Sequence, residues 1–237
     1  MIDAMQVADR LAEVRQRIAA TGRLPDEVAV VAVTKGFGVD AVEAAAAAGL
    51  ADVGENYAQE LADKWQASPG QGRRWHFLGH VQRNKVRSIA AAVHLWQGVD
   101  RVAAGEEIAR RAPGAKVLVQ VRIDEGEGTL PSGPPGGPAP SLDRNGCAPD
   151  DVAELVERLD GLGLDVRGLM AVGPPGAPER ARPGFRRVTE LADQLGLVER
   201  SMGMTNDLDV AVEEGSTMVR VGRGLFGARP VAPTLRR

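Results

Sequence analysis

The sequence predicts an α/β fold, a single (β/α)8 barrel that spans residues 1–237 as one domain. Eight short β-rich runs alternate with helical patterns along the chain of 237 residues. Most of these runs are apolar on both faces, as in parallel strands that helices cover on either side. Eight βα units in a chain of this length are typical of one barrel. An open doubly wound sheet has the same alternation and stays the structural alternative.

The elements follow one another at regular spacing. The sequence of residues 3–20 has early acidic residues and helical periodicity, which predicts an additional N-terminal helix and not a signal peptide. The predicted strands cover residues 28–33, 51–54, 74–79, 93–97, 116–123, 164–172, 197–203 and 217–222. Between them, helical patterns cover residues 40–49, 56–65, 82–91, 100–112, 149–162, 186–196 and 206–215. Several of these patterns end at a glycine, where helices commonly stop.

Composition excludes several classes of protein. Hydrophobic residues make up 43% and charged residues 26% of the chain, which is ordinary for a globular protein. Twenty-nine basic residues stand against 32 acidic ones, so no basic surface for nucleic acid is predicted. No apolar run reaches the roughly 18 residues of a membrane span. The single cysteine, Cys147, excludes an internal disulfide, and we expect a cytoplasmic protein.

One segment, residues 124–149, interrupts this alternation. It is rich in proline and glycine, which predicts a flexible loop insertion and no packed element. It directly follows the fifth strand, on the face where barrel enzymes have their active sites. A mobile lid and a disordered insertion are both compatible with this composition.

Lys35 is the most informative single residue. It lies just after the first predicted strand, and the carboxyl ends of barrel strands form the functional face. An amine at the mouth of an apolar barrel is partly desolvated, which lowers its pKa and favours the neutral nucleophile. The pattern therefore indicates a lysine that forms a Schiff base, although a solvated surface lysine has the same sequence context.

The ends of the last two strands resemble a phosphate site. Gly222 and Gly224 open the turn at the end of the eighth predicted strand, and Ser201, Gly203 and Thr205 lie at the end of the seventh. In barrels, the loops after these two strands frequently bind phosphate, and glycine lets backbone N–H groups approach an anion. A helix N-cap is the other interpretation of Thr205.

Two further polar positions have ordinary structural explanations. Asn56 follows the second strand, where it either contacts a ligand or caps the next helix. His76 lies within a mostly apolar strand, which is more typical of a hydrogen-bonded core residue than of a base. His76 and His80 have no companion ligand at a recognisable spacing, so no metal site is predicted.

Several segments together resemble the YggS/PROSC family of pyridoxal-phosphate homeostasis proteins. These segments are VAVTKGFG, GENYAQELADKW, WHFLGHVQRNKVRSI, GLMAV and SMGMTNDLDVAVEEGSTMVRVGRGLFG, in this order along the chain. The resemblance extends from the N-terminal helix to about Arg229. It implies the fold of the alanine racemase N-terminal barrel and the cofactor pyridoxal 5'-phosphate (PLP).

The resemblance also implies roles for individual residues. Lys35 holds PLP as a Schiff base, and Arg220 faces the pyridine nitrogen or assists with the phosphate. The phosphate ligands implied are Ser201, Gly203, Thr205, Gly222 and Arg223, while Asn56, His76 and Phe77 lie around the ring. Two departures from the family are visible: residues 124–149 expand a normally short turn, and Thr205 replaces a common serine while keeping the hydroxyl.

We expect a PLP carrier that buffers the cofactor or delivers it to apo PLP-dependent enzymes. Alanine racemase takes a second acid–base group from a further domain, usually of a partner subunit, and this sequence ends about eight residues beyond the barrel motif. A cationic Arg220 would also keep the ring nitrogen unprotonated, which weakens the ring as an electron sink. A monomer is therefore expected. A racemase-like enzyme of low activity and a cofactor-free Schiff-base aldolase are the alternatives.

Overall fold

The computed structural model describes residues 1–68, 72–123 and 145–229. Its eight parallel strands pair in chain order, and the eighth strand also pairs with the first. This closure confirms the predicted barrel and rules out the open doubly wound sheet. Of the predicted loop insertion at residues 124–149, all but residues 145–149 lies outside the described residues.

The observed elements agree with the predicted order. The strands are β1 Ala29–Val33, β2 Asp52–Glu55, β3 Arg74–Phe77, β4 Val93–Val99, β5 Lys116–Val121, β6 Asp165–Ala171, β7 Glu199–Ser201 and β8 Met218–Val221. The α-helices are α1 Ala4–Ala20, α2 Val39–Ala47, α3 Ala58–Ala67, α4 Arg83–Ile89, α5 Val102–Arg111, α6 Val152–Gly161, α7 Arg182–Gln194, α8 Leu208–Glu213 and α9 Arg223–Phe226. Strand β7 is shorter than the predicted 197–203, because Gly203 adopts a positive φ of 91° and turns the chain.

Side chains alternate between the barrel interior and the surrounding helices. Val31, Leu95, Leu118, Met170 and Met218 form a separate buried cluster of strand residues, which fills the interior. A larger apolar cluster packs between the sheet and the helices. The barrel interior is therefore a packed core and not a pore.

Helix α1 packs across the outside of the barrel. Its buried residues, Val7, Leu11, Val14 and Ile18, recur at the spacing of one helix face. They contact α2, α8 and α9, which join the first and last units of the barrel. At 17 residues α1 is the longest helix described, and no described helix is long and apolar enough to cross a membrane.

We predict that Gly168→Ala destabilises the barrel. A Cβ atom at Gly168 in β6 would lie 1.8 Å from the backbone oxygen of Glu199 in β7, so the two strands would have to separate. The free energy of unfolding should fall by about 3 kcal/mol, at the upper end of ordinary overpacking. Chemical denaturation measures this loss.

Gly161→Ala is the matched control. Gly161 is the last residue of α6, and a Cβ atom there would have no neighbour within 4 Å. The substitution should leave stability unchanged or raise it by up to about 1 kcal/mol, because alanine loses less conformational entropy in a helix. Equal losses in the two variants would contradict the proposed constraint between β6 and β7.

Candidate functional site

A cavity of about 590 Å³ opens at the carboxyl ends of the strands. Its described walls come from the ends of four strands, β1, β5, β6 and β8, and from segments that follow the strands. The charged side chains among its described lining residues are Lys35, Arg122, Arg220, Arg223, Arg229 and Asp207. With five basic groups against one acidic group, this cavity favours an anionic ligand.

Lys35 lies in the wall of this cavity, two residues beyond the end of β1. Burial lowers the pKa of its amine below the ordinary value, and the nearby charges of Arg229 and Arg220 lower it further. A larger fraction of the amine is therefore neutral and nucleophilic than in a free lysine.

A buried ion-pair network holds the backbone on both sides of Lys35. The Lys64 Nζ atom donates to Glu55 Oε1 at 2.6 Å, to the Thr34 carbonyl at 2.8 Å and to Glu60 Oε2 at 3.1 Å. The same Glu60 oxygen accepts from the Gly36 N–H at 2.9 Å. The residues before and after Lys35 are thus tied to α3, which fixes the direction of the lysine.

Glu55 is the most buried member of this network. It is 0% exposed and accepts from the Thr34 hydroxyl at 2.6 Å as well as from Lys64. Burial raises the pKa of Glu55 above its ordinary value, and the charge of Lys64 opposes that rise. This network was not predicted from the sequence. The i,i+4 spacing of Glu60 and Lys64 was its only sequence signal.

The two glycine-containing turns meet as the sequence predicted. Thr205 Oγ1 accepts from the Gly224 N–H at 3.2 Å, which joins the turn after β7 to the turn after β8. A Cβ atom at Gly224 would lie 2.8 Å from Val221 and 3.2 Å from Thr205, so the close approach requires glycine. Thr205, Gly222 and Arg223 all line the cavity.

Two arginines of α1 support these turns from outside. Arg17 donates to the Thr205 carbonyl at 2.9 Å and pairs with Asp209 at 2.9 Å. Arg10 donates to the Leu225 carbonyl at 3.0 Å. These long-range contacts were not predicted from the sequence, and through them α1 supports the turns after β7 and β8 from behind.

Arg220 lies on the cavity floor and is 5% exposed. Its guanidinium donates to the Ser201 carbonyl at 2.6 Å, to the Ser201 hydroxyl at 2.7 Å and to the Ala171 carbonyl at 2.7 Å. Burial lowers the pKa of Arg220 to about 10, and the charge of Asp207 opposes this shift. The group stays charged at neutral pH, and its described hydrogen-bond acceptors are all neutral.

The family resemblance implies ten residues around PLP, and four of them lie outside the described cavity lining: His76, Phe77, Ser201 and Gly203. The Ser201 hydroxyl is fully buried and engaged with Gln97 and Arg220, so it is not free to bind a phosphate. Gly203 instead allows the turn after β7, because a Cβ atom there would lie 2.6 Å from the Cβ of Ala211.

The two neighbouring residues of β3 point in opposite directions. His76 faces the barrel interior, where it is held between Asp52 and Gln97. Phe77 faces the helices and contacts the ring of Trp96, with 5.6 Å between ring centroids. Because successive side chains of a strand alternate, the two cannot line the same pocket.

Cys147 lies near the cavity but is not one of its described lining residues. Its backbone pairs with the end of β5 through hydrogen bonds with Gln120 and Arg122, each 2.9 Å long. Burial raises the pKa of its thiol to about 11. The thiol is therefore protonated at neutral pH and a weak nucleophile.

We predict that Lys64→Met destabilises the protein by about 3–5 kcal/mol, because it leaves the Glu55 carboxylate buried without its cation. The loss should be smaller near pH 5 than near pH 8. Removing the cation raises the pKa of Glu55 further in the folded state, and a group with a raised folded pKa loses stability as the pH rises. Denaturation at the two pH values measures both effects.

The double variant Glu55→Gln/Lys64→Met is the matched control. It removes the buried charge together with its partner, so most of the lost stability should return and the pH dependence should disappear. A single variant as stable as the original protein at both pH values would contradict the structural role of the ion pair.

Comparison with known proteins agrees with this geometry. Residues 2–230 match the family described as the alanine racemase N-terminal domain. The pyridoxal phosphate homeostasis protein of Pseudomonas aeruginosa is 38% identical over 234 residues, which cover 95% of each chain. The protein of the same name from Deinococcus radiodurans is 37% identical over 94% of this chain and 100% of its own.

Solved structures of similar proteins also match this chain. PipY of Synechococcus elongatus with PLP bound is 31% identical, with a TM-score of 0.75, and the match covers 93% of this chain and 100% of PipY. Alanine racemase of Corynebacterium glutamicum, at 18% identity and a TM-score of 0.69, shares the fold. By its sequence and its barrel, this chain belongs to the pyridoxal phosphate homeostasis protein family, on the fold of the alanine racemase N-terminal domain.

Proposed function

We propose that the chain binds PLP in the cavity at the barrel mouth, as a Schiff base on Lys35, and serves PLP homeostasis by holding and releasing it. The observation that carries this proposal is the desolvated Lys35 amine in a cationic cavity whose wall also contains residues of the paired glycine turns. The names of the relatives and the PLP-bound PipY structure support it.

The residues of the cavity fit the chemical groups of PLP. Thr205 uses its oxygen to accept from Gly224, which leaves its hydroxyl proton free to donate to a phosphate, and Gly222 and Arg223 lie beside it. Arg220 supplies a positive charge on the floor, and Asn56 an amide on the wall. When bound, PLP supplies a carbonyl carbon that reacts reversibly with amines and a ring that takes up electrons.

The acid–base groups of the cavity favour a carrier over an efficient enzyme. Among its described lining residues, Lys35 and Asp207 are the side chains other than arginine that titrate. Asp207 already accepts from the Met204 N–H at 2.7 Å. Racemisation requires proton transfer on both faces of the bound amino acid, and the described lining offers Lys35 for one of them. We infer that released PLP passes to apo PLP-dependent enzymes.

We expect Lys35→Ala to abolish covalent attachment of PLP. The original protein, mixed with PLP and reduced with borohydride, should carry the adduct on the peptide that contains Lys35, as mass spectrometry would show. Lys85→Ala is the matched control, because Lys85 is an exposed lysine of α4 outside the cavity, and it should attach PLP normally. Attachment that persists in the Lys35→Ala variant would contradict the assignment.

The pH dependence of PLP attachment should reflect the lowered pKa of Lys35. Because the neutral amine reacts, the rate at saturating PLP should rise with pH through a midpoint below the roughly 10.4 of free lysine. Removing the positive charge in Arg229→Gln should raise the pKa of Lys35, move this midpoint to higher pH and slow attachment at neutral pH. Stopped-flow absorbance measures the rate.

Arg229→Lys is the charge-conserving control for this experiment. It should leave the midpoint close to that of the original protein, because a cation remains near Lys35. If Arg229→Gln leaves the midpoint unchanged or lowers it, the expectation that the charge of Arg229 lowers the pKa of Lys35 is wrong.

Delivery can be separated from simple buffering. The loaded protein is mixed with an apo PLP-dependent enzyme in the presence of a phosphatase that destroys free PLP. Continued formation of active enzyme would indicate direct transfer, and its loss would indicate release into solution. Chiral chromatography after incubation with L-alanine tests the racemase-like alternative: turnover at ordinary enzymatic rates would overturn the carrier proposal.

A further inference from the structure

A row of buried polar side chains crosses the barrel interior and ends at Arg220. Asp52 Oδ1 lies 2.9 Å from His76 Nε2, and His76 Nδ1 lies 2.7 Å from Gln97 Nε2. Gln97 Oε1 accepts from the Ser201 hydroxyl at 2.7 Å, and that hydroxyl accepts from Arg220 at 2.7 Å. We call this row, Asp52–His76–Gln97–Ser201–Arg220, the interior chain.

The hydrogen bonds of the interior chain all have the same direction. An amide nitrogen is only a donor, so Gln97 donates to His76 Nδ1, which must be unprotonated. A neutral His76 then carries its proton on Nε2 and donates it to Asp52. The second amide proton of Gln97 is directed to the Met218 sulfur at 3.1 Å, which fixes the orientation of the amide.

The charges around His76 stabilise this direction. Asp52 accepts from Arg74 at 2.6 Å through each of its oxygens. Although burial opposes ionisation, the hydrogen bonds from Arg74 and His76 hold the pKa of Asp52 well below its usual range. Asp52 is thus an ionised hydrogen-bond acceptor at the first position of the interior chain. His94 is not a member of the interior chain, and its ring centroid lies 6.1 Å from that of His76.

The interior chain ends at the guanidinium of Arg220. A guanidinium can only donate, so the Ser201 oxygen accepts from Arg220, while the Ser201 proton is committed to Gln97. A buried charge is costly unless oriented dipoles surround it. Arg220 is therefore held charged by neutral acceptors, and its charge stays available to a ligand in the cavity.

The rest of the interior shows that polar residues are not needed for packing. Leu95, Leu118 and Met170 fill comparable interior positions on β4, β5 and β6. His76, Gln97 and Ser201 are each no more than 2% exposed, and burying them is favourable only because each is hydrogen-bonded. Their shared feature is the connection to Arg220.

We propose that His76, Gln97 and Ser201 are positioning residues that orient Arg220 toward the ligand in the cavity, His76 acting through Gln97 and Ser201. The part of this inference that concerns the ligand rests on the proposed function, in which PLP occupies the cavity. The direction of the interior chain is a property of the protein without ligand.

The direction is tested first in ligand-free protein. Long-range proton–nitrogen correlation on the 15N-labelled protein at mildly alkaline pH reports which ring nitrogen of each histidine carries the proton. The chain has three histidines, so His80→Gln and His94→Gln assign the His76 signal. Protonation of His76 on Nε2 is expected. Protonation on Nδ1 would reverse the chain and overturn the proposal, whatever the protein binds.

The coupling to the ligand is tested with His76→Phe, the near-isosteric Gln97→Met, and the double variant. Each single change should raise the dissociation constant for PLP about tenfold, as expected for the loss of a hydrogen bond that orients a charged group. The double variant should also lose about tenfold instead of about a hundredfold, because both changes interrupt the same chain. His94→Gln is the matched control and should bind PLP normally.

The outcomes separate the two proposals. Unchanged affinity in the single variants, or a hundredfold loss in the double variant, would overturn the positioning role. A failure of the original protein to bind PLP would overturn the proposed function. The histidine measurement would then still decide the direction of the interior chain.

Discussion

The pairing of β1 with β8 is the constraint on which the site depends. The register places Val31 beside Arg220 and Ala32 beside Val221. It brings Lys35, which follows the first strand, next to the arginine and the glycine turn that end the last strand. Helix α1 reinforces this closure, since its arginines hold the turns after β7 and β8. Opening this seam would separate the nucleophilic amine from the cationic floor.

Two buried charged groups beside the cavity are stabilised in different ways. The Lys35 turn is fixed by a buried ion pair, Glu55 with Lys64, whose charges largely compensate each other. Arg220 is instead held by carbonyl and hydroxyl oxygens, which leave its charge uncompensated. The first arrangement supplies rigidity behind the amine, and the second supplies a positive potential in front of it. Both features favour the reversible capture of an anionic carbonyl compound that we propose.

The residues that the family resemblance implies as ligand contacts fall into two groups, one in the cavity lining and one inside the sheet or behind it. Lys35, Asn56, Thr205, Arg220, Gly222 and Arg223 all line the cavity. The implied ligand contacts of His76 and Ser201 belong instead to the hydrogen-bonded row below the floor. Phe77 faces the opposite side of the sheet from His76, because adjacent strand residues alternate. Strand-end residues were easier to place, since every carboxyl end of a parallel barrel lies on one face.

The sequence by itself determined the eight alternating βα units, because the alternation of apolar runs with helical patterns is a local property of the chain, whereas the pairing of β8 with β1 decided for a closed barrel over an open sheet. It also located the strand-end lysine and the glycine turns, for which it predicted roles from their position in that repeat. Only the tertiary structure decided which polar residues meet in the interior. The bond from Lys64 to the Thr34 carbonyl, the Arg10 and Arg17 contacts and the row from Asp52 to Arg220 join residues from different barrel units. Such contacts depend on strand register and helix packing, which no local pattern specifies.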